Sequence, residues 1–303
     1  MMQLLKRQST LSAPVVCAGT QLHGGARTRM ALRPAPIDTG LVFVRTDIEG
    51  KDNHIPVRPD AVSGVRNCTT LSNSAGVRIS TVEHLMAALA ASDIDNLYID
   101  LDSDELPALD GSSAPFVELI EQVGIDIQPA PRRYIKILKP VSVHEGDSII
   151  SIEPCDHLEL DVTIDFDDVA IGRQRLNIIP DARSFRDKVA SARTFARAHE
   201  VDALKAAGLS KGGSLENAVI VDGDRILNPE GLRFANEFVA HKALDLMGDL
   251  YLAGPVLGRV TAVKCGHAIN HAFLMALFSD PDAWCFTTLG SSEAQKEPNS
   301  ISA

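Results

Sequence analysis

The chain has 303 residues, enough for two domains that each bury a core of their own. Acidic residues number 40 against 29 basic ones, and the resulting net charge of −11 argues against a nucleic-acid surface, because phosphate backbones are held by basic patches. A hydrophobic fraction of 45% suits a soluble globular protein, and no apolar run approaches the roughly 18 residues that a membrane helix requires.

Residues 1–19 carry Lys6 and Arg7, but the apolar stretch is short and broken by Pro14, which does not make a secretory segment. The five cysteines (Cys17, Cys68, Cys155, Cys265, Cys285) have no paired spacing, so neither a disulfide framework nor a Cys-x-x-Cys metal site is expected, and a reducing cytoplasm is the expected location. Runs at 13–17, 30–34 and 40–45 are separated by Gly and Pro breaks, with a Gly-rich turn at His23-Gly24-Gly25, and read as antiparallel sheet. Residues 67–71 read as a further strand, and 72–76 as the turn that leads into a helix.

That helix carries Ser80-Thr81-Val82-Glu83-His84-Leu85-Met86-Ala87-Ala88-Leu89-Ala90-Ala91. Ser80 or Thr81 can cap it, Leu85, Met86 and Leu89 give it a buried face, and Glu83 and His84 fall in its first turn. A buried carboxylate beside an imidazole needs a compensating charge, which a divalent metal on the histidine supplies. The spacing matches neither His-Glu-x-x-His nor His-x-x-Glu-His, and taken alone such a dipeptide is more often a satisfied surface or core pair. It needs partners elsewhere.

Residues 97–101 alternate as a strand, and Asp110-Gly111-Ser112-Ser113-Ala114-Pro115-Phe116 is a tight turn into a helix at 116–123. Two prolines and two arginines in 128–133 interrupt periodic sequence on both sides. This predicts a linker between a domain at 1–127 and another at 134–290, with a polar tail at 291–303. In the second half, 134–143, 148–153 and 158–166 read as strands, 184–207 as helical, and 218–221 as a strand followed by a hairpin turn at Asp222-Gly223-Asp224. A long helix is expected at 237–252, a strand at 256–264 and a last helix at 267–278. The pattern suggests a duplicated unit of sheet plus helices.

On the helix at 237–252, His241, Asp245 and Asp249 recur every four residues and share one face. A solvated stripe of i, i+4 pairs is the plain reading, and a metal clamp by His241 and Asp245 the sharper one. Adding His84 gives two imidazoles and one carboxylate, the ligand count of a catalytic zinc with one position open, and leaves Glu83 as general base. Cys265-Gly266-His267-Ala268-Ile269-Asn270-His271 allows two readings: a second i, i+4 metal pair, or His267 as a general acid supported by Asp249. The second is preferred, because one metal already has its ligands. His23, His54, His144, His157 and His199 have no comparable context.

In order along 9–290, Ser80-Thr81-Val82-Glu83-His84-Leu85, Asp110-Gly111-Ser112-Ser113-Ala114-Pro115-Phe116, Ala192-Arg193-Thr194-Phe195, Leu227-Asn228-Pro229-Glu230-Gly231-Leu232-Arg233-Phe234, Phe238-Val239-Ala240-His241-Lys242-Ala243-Leu244-Asp245 and Gly266-His267-Ala268 together resemble the motifs of the UDP-3-O-acyl-N-acetylglucosamine deacetylase family, zinc enzymes of lipid A synthesis in Gram-negative bacteria. The resemblance implies two similar α+β domains with the site at their junction. It implies Zn2+ on His84, His241 and Asp245, Glu83 activating water, His267 protonating the leaving amine, Asp249 orienting His267, and Thr194 holding the oxyanion. It also implies Lys242, Lys264, Phe166 and Phe195 beside a UDP-linked acylated sugar. The chain departs from the family at Gln21-Leu22-His23, where Gly-Leu-His is usual, and at Ala196-Arg197-Ala198-His199-Glu200, where Gly-Phe-Met-Arg-Asp is common. The second departure bears on the acyl passage. The rival reading is a zinc-stabilised module that only binds such lipids, for which a spare base at Glu83 and acid at His267 have no use. Acyl length and oligomeric state are not legible, a monomer being the default.

Overall fold

The computed structural model describes residues 5–290; the polar tail expected at 291–303 lies outside the described residues. Two larger sheets dominate. The first runs Val15–Thr20, Arg27–Pro34, Leu97–Leu101, Leu41–Arg45, His54–Pro56 in spatial order. The antiparallel pairing expected of the runs at 13–17, 30–34 and 40–45 holds for Val15–Thr20 on Arg27–Pro34, but Leu41–Arg45 pairs in parallel with Leu97–Leu101. The long connection between those strands makes this possible, since it holds a small three-stranded sheet (Val62–Gly64, Thr70–Ser72, Arg78–Ser80) and the helix α1 (Glu83–Ala91). Helix α2 (Ala114–Val123) follows the strand Leu97–Leu101.

The second sheet is organised around Val256–Val263, which pairs antiparallel with Ser148–Glu153 and parallel with Leu158–Asp165 and Arg133–Ile137. Val141–Glu145, Arg173–Ile178 and Trp284–Thr288 complete it. The run expected as one strand at 134–143 is two, broken before Pro140. Ile125–Pro131, within which the expected linker begins, is a strand paired with Arg7–Leu11.

The segment 184–207, expected to be helical throughout, is not. Helix α3 (Ala182–Lys188) opens on a capping box between Asp181 and Ser184 and ends at Lys188. The chain then straightens, because the Arg193 side chain is drawn into a buried ion pair with Glu237 and Phe195–Arg197 pairs in parallel with Val219–Asp222. Only Ala198–Ala206 is helical again, as α4.

Helices α5 (Glu237–Leu250) and α6 (His267–Ser279) pack beside the second sheet, and α5 also lies against α1. That placement answers the question left by the polar stripe on α5. His241, Asp245 and Asp249 are 2%, 3% and 2% exposed, so they are not a solvated face. One continuous apolar core runs through both sheets and these helices. At Gly248 the two helices touch backbone to backbone: a Cβ added there would lie 2.1 Å from the carbonyl oxygen of Glu83. Among the described residues no helix is long and apolar enough to cross a membrane.

Candidate active site

The entry of α1 is fixed by tertiary contacts and not by a cap. Ser80 ends the strand Arg78–Ser80, Val82 stands at the cap position, and neither Ser80 nor Thr81 caps the helix. Thr81 sits in the left-handed region at φ 61°, a conformation costly for a β-branched residue. Its hydroxyl donates to the buried Glu105 carboxylate, which also accepts the backbone N–H groups of His23 and Gly24 at 2.8 Å each. The turn at 110–113 braces the same helix, since the Ser113 hydroxyl donates to the His84 carbonyl at 2.6 Å. Gly111 is irreplaceable there, with φ at 80° and the Asn217 carbonyl oxygen 1.8 Å from where a Cβ would stand.

These supports bring His84, His241 and Asp245 together, one donor atom from each lying within 4.8 Å of the others. The Nε2 atoms of His84 and His241 stand 3.6 Å and 3.4 Å from Asp245 Oδ1. His241 Nδ1 donates to the Ala192 carbonyl at 3.1 Å, which leaves the Nε2 lone pair free. Burial pushes the His241 pKa down to about 4, so the ring is neutral, the form a metal requires. Burial works to raise Asp245, but His241 and Lys242 outweigh it and hold the carboxylate well below its usual range. Lys242 Nζ donates to Asp245 Oδ2 at 2.9 Å, while Oδ1 is buried with no hydrogen-bond partner among the described residues. An orphaned carboxylate oxygen facing two imidazole nitrogens fits a divalent cation, and the His, His, Asp set suits zinc.

Beside this triad stands a second pair. Glu83 Oε2 accepts the Thr69 N–H at 3.0 Å, and Oε1 faces His267 Nε2 at 3.7 Å. Burial raises the Glu83 pKa, against the pull of His267 and His84. His267 Nδ1 donates to Asp249 Oδ2 at 2.8 Å; burial opposes the imidazolium, yet Asp249 and Glu83 outweigh it and raise its pKa to about 10. Asp249 is held further by Asn270 Nδ2 at 2.7 Å and the Thr69 hydroxyl at 2.6 Å.

Glu83, His84, Thr194, Phe195, His241, Lys242, Asp245 and His267 all line one cavity of about 490 Å³. Asp249 sits behind His267. Phe166 and Lys264 are outside the lining: Phe166 packs edge-on against Phe195 at 5.7 Å, and Lys264, at φ 52°, reaches toward Asp165 at 3.7 Å. Part of the remaining wall comes from the segment that follows Phe195, through Ala196, Ala198, Glu200, Val201, Leu204 and Leu215, and part from Leu22, Asn67, Thr81, Ile220 and Leu227. His271 is not part of the triad and its Nδ1 has no hydrogen-bond partner among the described residues, so the four-residue spacing His267 and His271 share does not bring it to this cluster.

His23, passed over for want of context, also lines the cavity; the chain reaches it through the Glu105 contacts, which no local spacing announces. Thr69, Asn270 and the Arg193–Glu237 pair were likewise not singled out. Arg193 is fully buried, bidentate on Glu237 at the start of α5, and also bonded to Glu230 and the Gly231 carbonyl. The motifs 192–195 and 227–234 are thus two sides of one ion-pair cluster that seats Thr194 against the cavity.

Residues 8–279 match the family described as UDP-3-O-acyl N-acetylglycosamine deacetylase. Three relatives carry the name UDP-3-O-acyl-N-acetylglucosamine deacetylase. That of Phenylobacterium zucineum (strain HLK1) is 50% identical, over 95% of this chain and 99% of its own. The protein of Vibrio parahaemolyticus serotype O3:K6 is 43% identical, covering 98% and 99%. That of Pseudoalteromonas atlantica is 44% identical, covering 95% of each.

Proposed function

Since the chain belongs to the UDP-3-O-acyl-N-acetylglucosamine deacetylase family and is thereby a hydrolase, we propose that it cleaves the N-acetyl amide of a UDP-linked 3-O-acyl-N-acetylglucosamine. Water and the amide are converted to acetate and the amine, which carries the proton that acetic acid loses, an early step of lipid A synthesis. The observation that carries this reading is the convergence of His84, His241 and the partnerless Asp245 Oδ1 beside the Glu83–His267 pair in one cavity. His84, His241 and Asp245 are the residues that hold zinc in this reading. Zinc, when bound, polarises the acetamide carbonyl and acidifies water at the site.

Glu83 takes a proton from the attacking water. Its burial makes it the stronger base, and the Thr69 N–H fixes one of its oxygens so that the other faces the cavity. His267, protonated at neutral pH and locked through Nδ1 on Asp249, gives its Nε2 proton to the nitrogen as the C–N bond breaks. Thr194 lies on the cavity wall where its hydroxyl can donate to the developing oxyanion. Lys242, stacked 5.8 Å from the Phe195 ring, marks the side where the nucleotide-sugar enters, with Lys264 and Phe166 beyond it. The acyl chain occupies the stretch walled by Ala196, Ala198, Val201 and Leu204. In this reading residues 1–127 supply Glu83 and His84, residues 134–290 supply the rest, and the enzyme works in the cytoplasm.

Acetate release from the UDP-sugar, measured with and without a chelator, tests the proposal. Activity abolished by chelator and restored by Zn2+ is expected, and Glu83→Ala should abolish release while keeping the metal. A protein that binds the UDP-sugar but releases no acetate at any metal load would be the binding module instead.

A further inference from the structure

We propose that Thr69 is a positioning residue that couples the general base to the general acid, an inference that rests on the roles assigned above to Glu83 and His267. Thr69 precedes the strand Thr70–Ser72 and is 2% exposed. It uses both of its donors on catalytic groups. The backbone N–H goes to Glu83 Oε2 at 3.0 Å, and the hydroxyl goes to Asp249 Oδ1 at 2.6 Å. The same hydroxyl oxygen lies 3.3 Å from His267 Nδ1, whose N–H donates to the other Asp249 oxygen.

A carboxylate can rotate about its last bond and present either oxygen. Asp249 is prevented from doing so because His267 and Asn270 occupy Oδ2 and Thr69 occupies Oδ1. Without the hydroxyl, Oδ1 would be a buried, unpaired anionic oxygen, and Asp249 would turn toward any donor left to it. His267 would follow, since its ring is oriented by that contact. Because one residue sets both the Glu83 and the Asp249 oxygens, a shift of the strand moves base and acid together and preserves their 3.7 Å separation. Thr69 is not part of the cavity lining, and among the described residues the hydrogen bonds of its N–H and hydroxyl run to Glu83, Asp249 and His267 and not to His84, His241 or Asp245.

The test compares Thr69→Val, which keeps the shape and the backbone N–H but removes the hydroxyl, with Thr69→Ser, which restores it. In the zinc-loaded protein, Thr69→Val should lower kcat by about 10–100-fold with KM and bound zinc unchanged, the range seen when an outer hydrogen bond to a catalytic group is lost. Thr69→Ser should return kcat to within a few-fold of the original. In an Asp249→Ala background Thr69→Val should cost nothing further, because the hydroxyl then has no carboxylate to hold. A readout independent of substrate is the His267 Nδ1 proton resonance, assigned by its loss in His267→Gln: it should move in Thr69→Val and return in Thr69→Ser. If the parent protein released no acetate while the resonance moved, the functional reading would fail and the coupling would stand. A parent enzyme that is active, with kcat and resonance both unmoved in Thr69→Val, overturns the inference, as does a Ser variant as poor as the Val variant.

Discussion

Adding one methyl group at Gly248 should damage catalysis more than stability. The added Cβ would start 2.1 Å from the Glu83 carbonyl oxygen, and a relaxed carbon–oxygen contact is about 3.3 Å, so α1 and α5 must separate by roughly 1 Å. Overpacking of this kind costs about 1–3 kcal/mol, on the order of 5 °C in Tm for a chain of this size. The catalytic cost is larger because the two helices divide the site. Glu83 and His84 ride on α1, and His241, Asp245 and Asp249 ride on α5. A displacement near 1 Å takes the base and one ligand away from the others and should lower kcat by about 10²-fold, with weakened metal retention. The assay is acetate release at a temperature where circular dichroism shows the variant folded, with zinc counted on the same sample. Gly258→Ala is the control, since its Cβ would meet the Ile152 and Ile137 side chains at 2.6 Å and 2.9 Å inside the second sheet, outside the cavity lining, and should lower Tm while sparing kcat. Wild-type kcat and zinc content in folded Gly248→Ala would refute the argument that this contact sets the helix spacing.

His84→Ala, His241→Ala and Asp245→Ala should each lose bound zinc, while Glu83→Ala keeps it; unchanged zinc in all three ligand variants would rule out the assigned triad. The metal-free protein should be most stable near pH 6.5. The His267 pKa is raised from 6.5 to about 10, so its contribution is complete below 6.5 and is lost as pH rises through 10. The His241 pKa is lowered to about 4, so protonation of the unfolded chain erodes stability as pH falls from 6.5 toward 4. Thermal melts of chelator-treated protein across that range check both limbs, and Asp249→Asn should weaken the alkaline one. Ala198→Met narrows the cavity wall and should penalise long acyl chains over short ones, by roughly fourfold in kcat/KM for each methylene displaced. Equal values across acyl lengths would show that Ala198 does not border the chain.

The parts of the site that could be read in the sequence share one property: their spacing is local. His241 and Asp245 announce themselves because four residues make nearly one helical turn, and Glu83-His84 because a charged pair interrupts an apolar helix. What sequence could not supply was the pairing of distant donors with those groups. Thr69 reaches Asp249 across 180 positions and Glu105 holds His23 across 82, and neither contact has a period. The helix expected at 184–207 failed for the same reason. Residues such as Ala192 and Arg193 favour a helix, but a buried ion pair with Glu237 and a parallel strand partner outweigh that local preference. The mixed first sheet was hidden because its parallel pair is joined by a long excursion that reads locally as unrelated strands and a helix.

The enclosure of Asp249 has a consequence for how the site resets between turnovers. Both of its oxygens are occupied by internal donors and it is 2% exposed, so no proton can leave His267 by the rear of the ring. The imidazole is left with one door, Nε2, and that door faces Glu83 at 3.7 Å. On the roles proposed here, each cycle leaves Glu83 carrying the proton it took from water and His267 without the one it gave to the amine. The shortest route back to the starting state is transfer between those two atoms. The pair then holds one transferable proton when substrate arrives and one again when the amine has left, and two only in the interval between the attack of water and the departure of the amine.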